Sequence, residues 1–261
     1  MNPTHLNQDH WNKKVPVHLK SEFYNHQAFL DVKSSLQQIE LDLLGDISEK
    51  RILHLQCHFG QDSISLSRMG AEVTGVDFSE AAIGVAKKTA KDLNVSTKFI
   101  CCNIFDLPNH LDETFDIVFA SYGVICWHPD LEKFVNLVSK YLKSGGRFVF
   151  VEFHPTMWMW NDEFTEVAYS YFNREAIFEE YEGTYAEHDS KIKSSCYVWN
   201  HSLADMIGNL VKKGFNLTSF EEFDYSPYPI FADMTQTDSG HQVKGFEGKM
   251  PMLYALKAKK A

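Results

Sequence analysis

The residues 52–79, ILHLQCHFGQDSISLSRMGAEVTGVDFS, hold the most informative chemistry in this sequence. An apolar run ends in a tight loop at Gly60, a helical pattern follows, and a second apolar run ends at Asp77. In an open parallel sheet, ligands bind beyond the carboxyl ends of the strands, where loop amides and a helix N-terminus are exposed. A carboxylate at that edge offers acceptor oxygens and no donor, which suits the two hydroxyls of a ribose. Asp77 is therefore the candidate nucleoside anchor, set against the plainer role of an acid at a helix N-terminus. A dinucleotide loop would carry three glycines for close approach of a pyrophosphate; here Gly60 stands alone among Gln56, His58 and Phe59, which argues against NAD.

Other residues could do chemistry nearby. Glu152, His154 and Pro155 close a later apolar run, and His154 reads either as a turn residue or as a substrate orienter or general base. Trp127 and His128 follow the run FDIVFAS and either wall a pocket or pack in the core. His54 and His58 lie on a strand and a loop, a spacing that does not align metal ligands, so no metal is expected. The adjacent Cys101 and Cys102 read as packed thiols rather than a redox pair.

These residues need a frame to position them. Runs RILHLQ, AEVTGVD, TKFICC, FDIVFAS and GGRFVFVEF alternate with helical patterns, the signature of a parallel sheet covered on both faces. Residues 27 to 44 predict one amphipathic helix through Val32, Leu36, Ile39 and Leu43, and residues 201 to 215 another through Leu203, Met206, Ile207, Leu210 and Val211. FNLTSFEEF and MLYALKA supply two closing strands. The expected organisation is an N-terminal helical arm over 1–45 and an α/β domain over 46–261. An aromatic-rich cap inserted at 156–198 would serve as substrate pocket wall or dimer arm.

Composition bounds the partners. With 25 basic against 35 acidic residues and no long basic run, phosphate tracking along nucleic acid is disfavoured. Five cysteines without metal spacing suit reduced thiols and a cytoplasmic address, and no apolar run approaches a membrane span or signal peptide.

Five segments in order, LQCHFGQD, VTGVDFS, FDIVFASYGVICWHPDL, LKSGGRFVFVEFHP and WNHSL, resemble the class I S-adenosylmethionine (SAM)-dependent methyltransferases. The likeness is closest to a bacterial branch with LQCHFGQD as its first motif, and it extends from about residue 15 to the end. It implies a Rossmann-like, seven-stranded, mostly parallel sheet whose final strand is antiparallel. It also implies SAM as cofactor, with S-adenosylhomocysteine as product, and methyl transfer to nitrogen, oxygen or sulfur of a small molecule. The loop of Gln56, Cys57, His58 and Gly60 would underlie the methionine part, Asp77 the ribose, and Phe78, Asn103 and Ile104 the adenine. Ser121 and Tyr122 would lie near the reactive methyl, while Trp11, Tyr24, Trp199 and His201 would close over the acceptor. His54, Gln56 and His58 stand where many relatives have an acid and glycines, which leaves open a protein that binds SAM without transferring its methyl.

Overall fold

Runs rich in β-branched and aromatic residues become strands where both faces are covered, and seven of them join one sheet. The computed structural model describes residues 2–32, 34–172 and 174–261. The chain opens with α1 (Pro3–His18), α2 (His26–Asp31) and α3 (Gln38–Leu44). It continues through β1 (Arg51–Leu55), α4 (Gln61–Arg68), β2 (Glu72–Asp77), α5 (Glu80–Asp92), β3 (Thr97–Cys101), β4 (Phe115–Ser121), α6 (Leu131–Tyr141) and β5 (Leu142–Phe153). Then come β6 (Ile177–Glu182), β7 (Lys193–Val198), α7 (Leu203–Lys212), β8 (Phe215–Phe223), β9 (Met234–Gln236), β10 (His241–Val243) and β11 (Leu253–Lys260).

The sheet order is β3-β2-β1-β4-β5-β11-β8, with β11 antiparallel to both neighbours and the β1 to β5 pairings parallel. From β1 the chain runs outward to β2 and β3, then returns to lay β4 on the other side. That reversal leaves a crevice at the carboxyl ends of β1 and β4. Strand alternation separates two cores. Leu53, Val118, Ala120, Phe148 and Phe150 face Phe134, Val138, Met206 and Leu210, whereas Ile52, Ile117, Phe119, Val149 and Val151 face Leu43, Leu44 and Leu66. The α6 helix starts where the Asp130 side chain accepts from Lys133 N–H, and α7 where Ser202 and Asp205 form a capping box.

Three expectations need correction. Residues 27–44 form two short helices instead of one: Ser35 N–H donates to Ser65 Oγ, Ser35 Oγ donates to Asp62, and Leu36 N–H donates to Ser34 Oγ. Serine side chains thus supply local bonds that compete with the helix, and Val32 ends up 45% exposed. Val211 is exposed too, because α7 buries only Met206 and Leu210 fully. Cys101 is not a packed thiol; it is exposed at the end of β3, an edge strand with one neighbour. Apart from the β6–β7 hairpin, Met157 and Phe164 pack with Val243, Met250 and Met252 in a separate apolar cluster.

Candidate functional site

The loop after β1 turns on three residues with left-handed backbone: Gln56 (φ 54°), His58 (φ 50°) and Gly60 (φ 80°). A side chain at such angles is strained, and Gln56 is held there by its own amide. Its Nε2 donates to Val124 O (3.2 Å) and its Oε1 meets His128 Nε2 (2.6 Å), tying the β1 loop to the β4 loop. Gly60 is required by packing: an added Cβ would lie 2.7 Å from Phe99 Cζ and 2.9 Å from Ala86 Cβ. The Cys57 side chain turns away from the crevice into the cluster of Phe99, Ile64 and Ile83, so only its backbone lines the loop.

Asp77 ends β2 with both carboxylate oxygens engaged, accepting from His58 N–H (2.9 Å) and Ser79 N–H (2.8 Å). Burial pushes its carboxyl up to about 6, opposed by the N–H groups of Ser79, His58 and Phe78. Each oxygen keeps a further lone pair for a hydroxyl. The half-buried Phe78 offers its carbonyl to Gln8 of α1 (2.8 Å). Asn103 uses its amide oxygen to accept from Phe105 N–H (2.9 Å), capping the turn Ile104–Asn109, and Ile104 is buried in the core below.

Ser121 and Tyr122 end β4. Tyr122 adopts φ 53°, and its buried hydroxyl faces Glu40 of α3, whose two oxygens also lack a hydrogen-bonding partner of good geometry among the described residues. Burial, then Asp62, lifts the Glu40 carboxyl to about 8. Beyond Tyr122, the loop is organised by Glu152, which accepts N–H bonds from Gly123, Val124, Ile125 and Phe153 at 2.5 to 3.1 Å. Trp127 Nε1 donates to Gly123 O (2.7 Å), and its ring meets Trp11 at 5.3 Å.

Tyr24 stacks on His18 and His58 and shares a 2.6 Å hydrogen bond with Tyr185. His128 stacks on Phe134, and its carbonyl accepts from His201 Nε2 (2.7 Å). Trp199 and His201 line a cavity of about 10 Å³ with Cys126, Glu152 and Trp158, room for one water.

His154 lies just beyond the carboxyl end of β5, where its Nδ1 meets Thr156 Oγ1 (2.8 Å) and its Nε2 lies 2.8 Å from Glu222 on β8. His54 bonds Ser63 within the core, away from His58. Sequence reasoning passed over Glu40, His10, Lys14 and His18; the spacing of the last three along one helix was the available signal.

Residues 53–150 match a family described as a methyltransferase domain. A ubiquinone biosynthesis O-methyltransferase of Coxiella burnetii is 31% identical over 148 residues, 56% of this chain and 57% of that protein. A demethylmenaquinone methyltransferase of Thermus thermophilus is 32% identical over 117 residues, 44% and 52% respectively. The chain thus spans about half the length of such curated relatives. Among solved structures, magnesium protoporphyrin IX methyltransferase from Synechocystis PCC 6803 with bound SAM aligns over 100% of this chain and 98% of that one, at 15% identity and TM-score 0.58. A SAM-dependent methyltransferase from Mesorhizobium loti covers 85% and 95%, at 19% and 0.55. The [4+2]-cyclase SpnF also aligns, over 85% and 78%, at 17% and 0.54. The chain has the class I, Rossmann-like fold of these SAM-dependent methyltransferases, and residues 53–150 are similar to a methyltransferase domain.

Proposed function

We propose that the chain transfers a methyl group from SAM to a small-molecule nucleophile. The observation that carries this reading is Asp77: a buried carboxylate at the end of β2, oriented by two backbone N–H groups and retaining lone pairs for ribose hydroxyls. The β1 loop, Asn103 and Ser121 gather along the same crest, so the residues present fit the cofactor. The sulfonium of SAM activates its methyl for in-line displacement. What the protein then supplies is alignment, which can account for much of the acceleration. Aromatic faces of Trp11 and Tyr24 suit a cation beside them.

The fold shared with a cyclase favours keeping a second reading, SAM binding without methyl transfer. Calorimetric titration with SAM and S-adenosylhomocysteine, with Asp77→Ala as control, tests the cofactor site. Binding weakened at least about 100-fold in the variant is the expected result. Absence of binding by the wild type would sink the methyltransferase reading. Turnover against a panel of amines, phenols and thiols separates the two readings.

A further inference from the structure

The arm helix α1 turns a polar face inward. His10, Lys14 and His18 stand four residues apart, on one stripe of the helix, and are 0%, 6% and 0% exposed. Opposite them lie His58, Trp127 and the cap residues Tyr181 and Tyr185. Both ring nitrogens of His10, of His18 and of His58 lack a hydrogen-bonding partner among the described residues. Lys14 Nζ sits 5.2 to 5.4 Å from the ring centres of Trp11, Tyr181 and Tyr185, and no acidic partner for it is found among the described residues.

This polarity is not what docks the arm. Other residues do that: Asn7 exchanges two 2.8 Å bonds with the backbone of Tyr197, Gln8 donates to Phe78 O, and Asn12 accepts from Ser79 Oγ and Ala81 N–H. Burying an ammonium is costly, and three ring faces recover only part of that cost while leaving its three N–H donors unused. Burial holds His10 and His18 uncharged, at about 3 and about 2, so each still contributes one N–H donor. Unused donors gathered around a buried cation are the chemistry that an anion requires.

We propose that His10, Lys14 and His18 form a carboxylate-binding site for the methyl acceptor, whose ring would lie among Trp11, Tyr181 and Tyr185. The inference rests on the methyl-transfer reading for the word acceptor. SAM's own carboxylate shares the chemistry, but Lys14 lies near Cys126 after β4 and Cys196 of β7, whereas the β1 loop contacts the cluster through His58. That places the cation on the side of the cap.

The test uses the full chain saturated with S-adenosylhomocysteine and titrated with benzoate and indole-3-carboxylate, each against its uncharged amide. At least one carboxylate should bind about tenfold or more tighter than its amide. Lys14→Met should erase that preference, Lys14→Arg should retain part of it, and S-adenosylhomocysteine affinity should move less than about twofold in both. Lys14→Met should unfold at or above the wild-type temperature, since it removes a buried unpaired charge, and His18→Phe provides a second variant with the same expected loss. Equal affinity for acid and amide across both pairs, or a preference that survives Lys14→Met, overturns the proposal. A fall in S-adenosylhomocysteine affinity with carboxylate preference intact assigns the cluster to the cofactor and also overturns it. Failure of the wild type to bind S-adenosylhomocysteine strikes the methyl-transfer reading instead, and the same acid-against-amide titrations without cofactor still decide the carboxylate site.

Discussion

Two buried polar regions meet at the carboxyl ends of the sheet, and they are built by opposite rules. Along the crest, Glu152 and Asp77 are held by the backbone: Glu152 accepts four N–H bonds, and Asp77 accepts two while keeping lone pairs for a ligand. Beneath the arm, His10, His18 and His58 have no partner for any ring nitrogen among the described residues. A satisfied network rigidifies the loops it binds, whereas an unsatisfied one stores a cost that a ligand can relieve. The crest is thus a finished frame, and the arm interface is a receptor that sacrifices stability for binding.

The largest expected effect breaks the frame. Glu152→Ala leaves four buried N–H groups without their acceptor and should cost about 3–5 kcal/mol in urea unfolding. Glu152→Gln keeps one acceptor oxygen and should lose less. If Glu152→Ala unfolds like wild type, the crest is not the rigid half of the comparison.

Acid should expose the contrast next. His10, His18 and His58 are held near 3, 2 and 3 by burial, against 6.5 when unfolded. Between those values the unfolded chain binds more protons, so stability falls as pH drops below 6.5. Glu40 runs the other way: its folded value near 8 exceeds the unfolded 4.5, so its contribution is lost as pH rises from 4.5 to 8. Denaturant midpoints measured from pH 4 to 8.5 should flatten on the acid side in a His10→Phe/His18→Phe variant and on the alkaline side in Glu40→Gln. A curve unchanged by both removes the pH argument.

A smaller effect sharpens the difference. At neutral pH, His18→Phe replaces two orphaned nitrogens with an apolar ring and should change stability by about +1 kcal/mol or leave it level. Any loss beyond about 1 kcal/mol would show that the ring nitrogens are satisfied, and the two regions would then be alike.

The frame was legible in the sequence and the receptor was not. The runs around Ile52, Val73, Ile117 and Val149 announce strands because a parallel sheet buries both faces, and Asp77 stands out because it ends one of them. The arm defeats such reading. A helix that buries Asn7, His10, Lys14 and His18 looks like one whose polar face belongs in water, since amphipathic patterns equate burial with apolarity. The break before α3 was hidden for a related reason: the apolar spacing of Val32 and Leu36 gave no weight to the bonds of Ser34 and Ser35. The hairpin β6–β7 alternates in burial but not in residue type: Ser194 and Cys196 of β7 are buried, while Phe178 and Tyr181 of β6 are 50% and 39% exposed.

The smallest prediction lies on the frame, far from either polar group. Gly84 is inside α5, exposed, and a Cβ added there meets nothing within 4 Å. Its backbone is ordinary helix, so alanine needs no rearrangement and removes freedom only from the unfolded chain. Gly84→Ala should therefore raise stability by about 0.5–1 kcal/mol in urea unfolding while S-adenosylhomocysteine affinity stays unchanged. The α5 helix also carries Ser79 at its N-cap, beside Asp77, and receives Asn12 from the arm. A gain in stability that weakened cofactor binding would mean that the frame must flex at α5 to admit its ligand. The crest would then share the unfinished character assigned here to the arm alone.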